Sequence, residues 1–350
     1  MDPAQDHTKL TSPHDTRLDP TGEATRNRTQ GTHRNRTVLL VLNYRNWTDC
    51  VNFLQSVLEH ELTNADIVIL DNASGNDSVP EIRDWIDARF PADAPPLLDP
   101  SRFTLGTTRF AAHVEPVYVK GRVALFSSDQ NYGFSGGNNA LAHIGRALGH
   151  EFLYLLNSDT LFTDRFAVSK LEALHDADPL AYASGPCVIN FDGSFDSPFR
   201  RDSFWGDALY YGPVNRIRRL FSLPILQFDI SALSRPSGAQ VYKISGAAMF
   251  FPTARFFELD GLDENVWLSS EEAILGEKVL KAGGKIIYLP TTVLLHVKAA
   301  SPRPKAKRID ILANHFTQRN YYYRRYRGYL GWQMALLRAG QRVRLLMARL

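Results

Sequence analysis

Five places in the chain combine residue types that could hold a diphosphate and move a proton. Glu271 and Glu272 open a helical period, where the helix dipole keeps a carboxylate ionised and therefore competent as a base near neutral pH. The same stretch, Ser269-Ser270-Glu271-Glu272, also fits a capping box with Ser269 as N-cap and Glu272 reaching back, and spacing leaves both readings open. Asp159 follows the apolar run Phe152–Leu156. A hard cation such as Mg²⁺ or Mn²⁺ on a diphosphate needs only one or two protein carboxylates, phosphate and water supplying the rest. Asp159 equally fits a plain cap for a helix over 162–175. Asp71, at the end of Ile67–Leu70, can accept hydrogen bonds from a base or ribose, or simply form a turn. His296, after Val293-Leu294-Leu295, can complete a shell begun by Asp159 or serve as a hydrogen-bonded structural residue.

The fifth place is Asn131-Tyr132-Gly133-Phe134-Ser135-Gly136-Gly137-Asn138-Asn139, just before a helix through Ala140–Leu148. Glycines there allow backbone to approach a ligand, and a helix N-terminus favours negative charge; an ordinary glycine-rich turn has the same composition. The segment is neither G-x-G-x-x-G nor G-x-x-x-x-G-K-[ST], which removes the main support for a dinucleotide cofactor or a P-loop.

Positioning such residues requires a sheet. From Thr37 the sequence alternates short apolar runs (Val38–Leu42, Ile67–Leu70, Val123–Phe126, Phe152–Leu156) with helical periods, one of them capped by Thr48 and another at 79–90. Strand, helix, strand at this spacing predicts an α/β fold with a mostly parallel central sheet flanked by helices, in which ligands collect at the carboxyl ends of strands. A second block runs from 245–251 through a helix near 270–282 to a strand at 285–289. Residues 91–122 read as an insertion with a hairpin, and 190–243 as irregular chain that shapes the substrate pocket. The expected organisation is a disordered leader at 1–36, one catalytic domain at 37–301 and a basic helical tail at 302–350.

The net charge of +3 hides a polarity: residues 297–350 carry thirteen Lys/Arg against Asp310 alone. Within 329–350, Trp332, Leu336, Val343, Met347 and Leu350 recur at helical spacing while Arg338, Arg342 and Arg349 fall elsewhere. This predicts an amphipathic basic helix, lying on an anionic membrane surface or packed on the domain. A nucleic-acid role would rest on this basic end and its tyrosines, but no nucleic-acid module accompanies them, and no nucleic-acid partner is expected. Cys50 and Cys187 form neither a CxxC pair nor a disulfide scaffold, no apolar stretch reaches 18 residues, and the first 36 residues lack a signal-peptide core. The expectation is a cytoplasmic protein, peripheral on the inner face of the cell membrane.

In order, the segments resemble family 2 glycosyltransferases of the GT-A fold, in the bacterial rhamnosyltransferase and galactofuranosyltransferase branch. The resemblance covers about 38–301. It rests on Leu42-Asn43-Tyr44, Leu70-Asp71-Asn72-Ala73-Ser74, the 131–139 segment, Leu156-Asn157-Ser158-Asp159-Thr160, Ser245-Gly246-Ala247-Ala248-Met249, Gly261-Leu262-Asp263-Glu264, Glu271-Glu272 before Lys281-Ala282-Gly283, Leu289-Pro290, and His296 before Ser301. It implies that Asp71 contacts the nucleoside, with Asn43, Tyr44, Asn131, Gly133, Phe134, Gly137, Asn138, Asn157 and Ser158 on the donor side. It also implies that Asp159 and His296 bind Mg²⁺ or Mn²⁺. Glu272 stands where the family has its base, with Glu271 beside it.

Two departures are visible: Asn157 replaces the first Asp of an Asp-x-Asp, and Glu replaces Asp at the base. The implied activity is metal-dependent, inverting transfer of a sugar from a nucleotide-diphosphate donor such as dTDP-rhamnose. The implied acceptor is a glycan or lipid-linked hydroxyl, in cell-surface polysaccharide or glycolipid synthesis. The departures make a catalytically weak sugar-nucleotide-binding protein of the same fold the alternative.

Overall fold

Alternate residues of the first apolar run pack into two different cores. Val38 and Leu40 join one cluster with Val68, Leu70, Leu141 and Ile144, while Leu39 and Val41 join another with Phe53, Leu54, Val57, Ile67 and Ile82. A strand buried on both faces needs helices on both sides, as the sequence predicts. The computed structural model describes residues 35–91, 94–211, 229–267, 269–297 and 305–349.

The elements run β1 (Thr37–Asn43), α1 (Trp47–Glu59), β2 (Ala65–Asp71), α2 (Ser78–Arg89), β3 (Val114–Lys120), β4 (Val123–Ser128), α3 (Gly133–Ala147), β5 (Phe152–Asn157), β6 (Thr160–Phe162), α4 (Ala167–Ala177) and β7 (Ala181–Asn190). After β7 come α5 (Phe204–Tyr211), α6 (Ile230–Leu233), β8 (Ala239–Val241), β9 (Ala248–Pro252), α7 (Thr253–Glu258), α8 (Glu271–Lys281), β10 (Lys285–His296), α9 (Lys305–Arg325) and α10 (Gly331–Arg349).

The central sheet is ordered β3-β4-β2-β1-β5-β9-β7-β10-β6, with β8 on β10. Its β4-β2-β1-β5 portion is parallel, and β7 and β10 are parallel to each other. β9 enters antiparallel between β5 and β7, and β6 pairs antiparallel with the end of β10. The last pairing sets His296 opposite Thr160, and so brings the loop holding Asp159 to the histidine.

Several boundaries differ from the sequence reading. α1 starts at Trp47 after Asn46, so Thr48 lies within its first turn rather than capping it. The helix expected over 162–175 begins only at Ala167, because Thr160–Phe162 is taken up by strand pairing with β10. The hairpin expected within 91–122 is β3 paired with β4, which uses the run at Val123 as its second arm. The span 190–243 contains two helices and a strand among its described residues, 212–228 lying outside them. Of the expected leader, 1–34 lie outside the described residues. Asn35 and Arg36 are docked: the Asn35 amide donates to Asp66 Oδ1 at 2.9 Å, and Arg36 pairs with Glu151 and Asp176.

At the C-terminal end the sequence leaves a helix on a membrane surface and a helix packed on the domain both open. α9 and α10 pack on the domain through Phe316, Tyr322, Tyr323, Met334 and Leu337, which share a buried cluster with Val266, Ala273 and Ile274. α10 uses Met334, Leu337 and Gln341 for this packing. The stripe read from the sequence lies on the opposite side: Trp332, Leu336, Val343 and Met347 are between 45% and 56% exposed. The helix is therefore packed and yet keeps its apolar stripe open.

Candidate active site

The strand ends carry the predicted residues to one edge of the sheet. Asn43, Asp71 and Asn157 end β1, β2 and β5, and the register aligns Asn43 with Asp71 and Leu42 with Asn157. Asp159 sits in the two-residue turn between β5 and β6, with Ser158. Its backbone oxygen accepts from Val297 N–H at 2.8 Å, and its Oδ1 is 3.1 Å from His296 Nε2. His296 is 3% exposed.

A carboxylate and an imidazole, both ligand types for a divalent cation, lie side by side here, and the two residues would hold such a cation, with diphosphate oxygens and water supplying the remaining ligands. Among the described residues, no group of three or more His, Cys, Asp or Glu side chains is arranged to hold a metal. A second carboxylate, Asp49 on α1, feels this site. Burial pushes its pKa up, the Asn46 amide opposes the rise, and the charge of Asp159 adds to it. In sequence Asp49 reads as an ordinary first-turn acid, and only the fold brings it near.

At Glu271-Glu272 the capping box is not formed. The residue before the helix is Ser270, in left-handed backbone at φ 74°, with no side-chain cap bond, and Ser269 Oγ instead donates to Gln318 at 3.4 Å. Both carboxylates are thus released from capping. Glu271 is 6% exposed, with Oε2 buried and without a hydrogen-bond partner. Burial, reinforced by the adjacent Glu272 charge, raises its pKa and favours the protonated form.

Glu272, about 100° around the helix, points to a different environment. It faces Gly246, where a Cβ would stand 2.9 Å from Oε1. A side chain at Gly246 would make the end of the Glu272 side chain shift away from the Ser245-Gly246-Ala247 loop. That loop reaches the other side of the site too, since Asn157 N–H donates to Ala247 O at 3.0 Å.

The donor-side residues are held largely by one another. Asp71 is 3% exposed; Oδ1 accepts from the Asn43 amide at 2.8 Å and from Ser74 Oγ, and Oδ2 accepts from Ser74 N–H at 3.0 Å. It shapes the turn that carries Asn72, whose amide donates to Asn131 Oδ1 and Gly133 O, both at 3.1 Å. Asn138 donates to Phe134 O within α3.

The expectation that glycines here bring backbone to a ligand is corrected at two positions. A Cβ at Gly137 would meet Leu42 at 2.6 Å, so that glycine permits close helix-to-strand packing. A Cβ at Gly133, at φ +68°, would stand 2.8 Å from the Trp267 ring, which covers this turn. Trp267 itself is 55% exposed, beside the donor-side network. Neither it nor Arg45 was singled out from spacing. Arg45 lies over the 45%-exposed Tyr44 and donates to Ser74 O at 3.0 Å, in a positive-φ turn at the end of β1.

Comparison with known proteins bears on the fold and on the kind of relative the chain resembles. No family model matches the chain. N-acetylglucosaminyl-diphospho-decaprenol L-rhamnosyltransferase of Mycobacterium tuberculosis is 26% identical over 222 residues, 59% of this chain and 67% of that protein. Among solved structures, GalNAc-T7 with UDP, GalNAc and Mn²⁺ matches at TM-score 0.51 and 14% identity, over 76% of this chain and 44% of that one. The chain thus spans less than half the length of that neighbour. The mannosyltransferase PcManGT from Pyrobaculum calidifontis, in complex with GDP-Man and Mn²⁺, matches at TM-score 0.50 and 17% identity, over 88% of this chain and 74% of that one. At these identities the structural likeness speaks for the fold, while the sequence likeness and the ordered motifs speak for the chemistry. Together they make the chain a glycosyltransferase of the GT-A fold, rhamnosyltransferase-like in sequence.

Proposed function

We propose that the chain transfers a sugar, with inversion, from a nucleotide-diphosphate donor to a hydroxyl of a lipid-linked or glycan acceptor. The observation that carries this reading is the pairing of Asp159 with His296 at 3.1 Å, with Glu272 held across the Ser245–Ala247 loop. Glu272 removes the acceptor proton as the acceptor oxygen bonds to the anomeric carbon and the bond from that carbon to the diphosphate oxygen breaks. A bound divalent cation would supply charge stabilisation for the departing diphosphate. Asp159 and His296 would be its protein ligands, and Asn43, Tyr44, Asp71 and Asn131 would frame the nucleoside side. Glu271, held towards its neutral form, avoids a second charge beside the base.

The donor follows the relative, a rhamnosyltransferase, and dTDP-rhamnose is the first to test. The acceptor in that relative's name is a diphospho-lipid, which supports a membrane-bound acceptor here as well. The open stripe of α10 and its arginines support docking on an anionic bilayer, although among the described residues no helix is long and apolar enough to cross one.

The deciding experiment is transfer and donor hydrolysis with dTDP-rhamnose and other nucleotide sugars, with Mn²⁺ or EDTA, for the wild type and Glu272→Gln. Mn²⁺-dependent transfer that falls about 10²–10⁴-fold in the variant is expected. Donor binding without turnover in the wild type would instead favour the sugar-nucleotide-binding alternative.

A further inference from the structure

His296 has a carboxylate on each side. Nε2 faces Asp159, while Nδ1 stands 3.6 Å from Asp196 Oδ2, at ion-pair range. Asp196 is brought there by a tight return of the chain after β7. Asn190, the last residue of β7, is in register with His296 and accepts the Gly193 N–H at 2.9 Å, and Ile189 bridges to Phe195. The same Asp196 oxygen accepts a hydrogen bond from Ser245 Oγ at 2.7 Å, which fixes the carboxylate beside the ring. Ser245 is 3% exposed and begins the loop that lies against Glu272 and meets Asn157. One short loop thus connects the base, the end of β5 and the far side of the histidine.

We propose that Asp196, held by Ser245, is a positioning residue for the metal site: its carboxylate beside Nδ1 orients the His296 ring, and with a cation bound between Nε2 and Asp159 it would favour the ring proton on Nδ1. Histidines that bind metals commonly donate their other ring N–H to a carboxylate, which fixes both tautomer and ring orientation. The inference rests on the metal reading above but adds a residue outside the ligand pair. Asp196 touches neither donor nor acceptor in this role.

The test is titration of the full chain with Mn²⁺, followed by the electron paramagnetic resonance signal of the free ion, with dTDP or UDP present. Asp196→Ala is expected to weaken Mn²⁺ binding by about 10–100-fold, with the metal-free melting temperature near that of the wild type. Transfer by the variant should then recover as Mn²⁺ is raised, which a merely structural defect would not allow. If Asp196→Ala fails to fold, Ser245→Ala decides the matter by the same readout. A wild type that binds no Mn²⁺ overturns the metal assignment and this inference with it. Metal binding by the wild type and by the folded variant with the same affinity overturns this inference alone.

Discussion

At the scale of residues, the two neighbouring glutamates are separated by environment rather than by type. Glu272 lies against a glycine loop, while Glu271 is buried with one oxygen unpartnered. Replacing Glu271 by Gln should therefore preserve most of the turnover that Glu272→Gln loses. A difference of 10²–10⁴-fold between the two variants corresponds to about 3–5 kcal/mol in the barrier. Equal turnover in steady-state assays of the pair would reject the division of roles.

Glu271→Gln also has a stability signature. A carboxyl whose pKa is raised by folding contributes stability that is present below the ordinary glutamate range and lost as pH rises through the raised value. The variant should therefore gain on the wild type as pH increases, which urea melts at several pH values would measure. At Gly246, alanine would push a methyl group against the Glu272 carboxylate. Gly246→Ala should thus lower kcat with little change in melting temperature, a split that kinetics and calorimetry on the same sample would reveal.

At the scale of elements, α10 makes opposite predictions for adjacent residues. Leu337 is 1% exposed in the cluster shared with α8 and α9, and Leu336 is 45% exposed. Leu337→Ala should cost about 2–5 kcal/mol, whereas Leu336→Ala should stay within about 0.5 kcal/mol, both read from urea unfolding. Function should divide the other way. Trp332 lies 6.5 Å, ring to ring, from the 61%-exposed Trp205 of α5, so two tryptophans from distant parts of the chain share one open surface. A Trp332→Ser, Leu336→Ser double variant should sediment less with anionic liposomes, and salt should release the wild type as charge attraction is screened. Sedimentation unchanged by both substitutions and salt would remove the membrane role. A chain ending at Pro304 should lose stability as well as binding, because Phe316, Tyr322 and Tyr323 complete a core around Ala273 and Ile274.

At the scale of the whole molecule, one buried and one half-buried histidine contribute to the acid limb of stability. His175, bonded to Ala181 O and Ser184 Oγ, is pushed down to about 4 chiefly by burial, and His315 also to about 4 by burial with Arg319, Arg344 and Lys243 nearby. Each favours the neutral form in the fold, so its contribution is full above the ordinary histidine value of about 6.5 and is lost as pH falls through the lowered one. Unfolding free energy should therefore decline from about pH 6.5 towards 4, and His175→Gln should flatten part of that decline.

The sequence by itself determined the apolar runs, their alternation with helices and the polar residues that end them, because strand burial and helix periodicity are local patterns. From these the parallel strands and the positions of Asn43, Asp71 and Asn157 at one edge were legible. What sequence spacing left undecided was settled by contacts between distant segments. Pairing of β6 with β10 shortened the expected helix and joined Asp159 to His296 across 137 positions. Ser270 in left-handed backbone displaced the capping box at Glu271-Glu272. Packing of α10 through the side opposite its apolar stripe answered to the packed-helix alternative for the tail and left the stripe exposed. Asp196 carried no signal in its own neighbourhood, because its importance comes from a histidine 100 residues away that only strand register brings beside it.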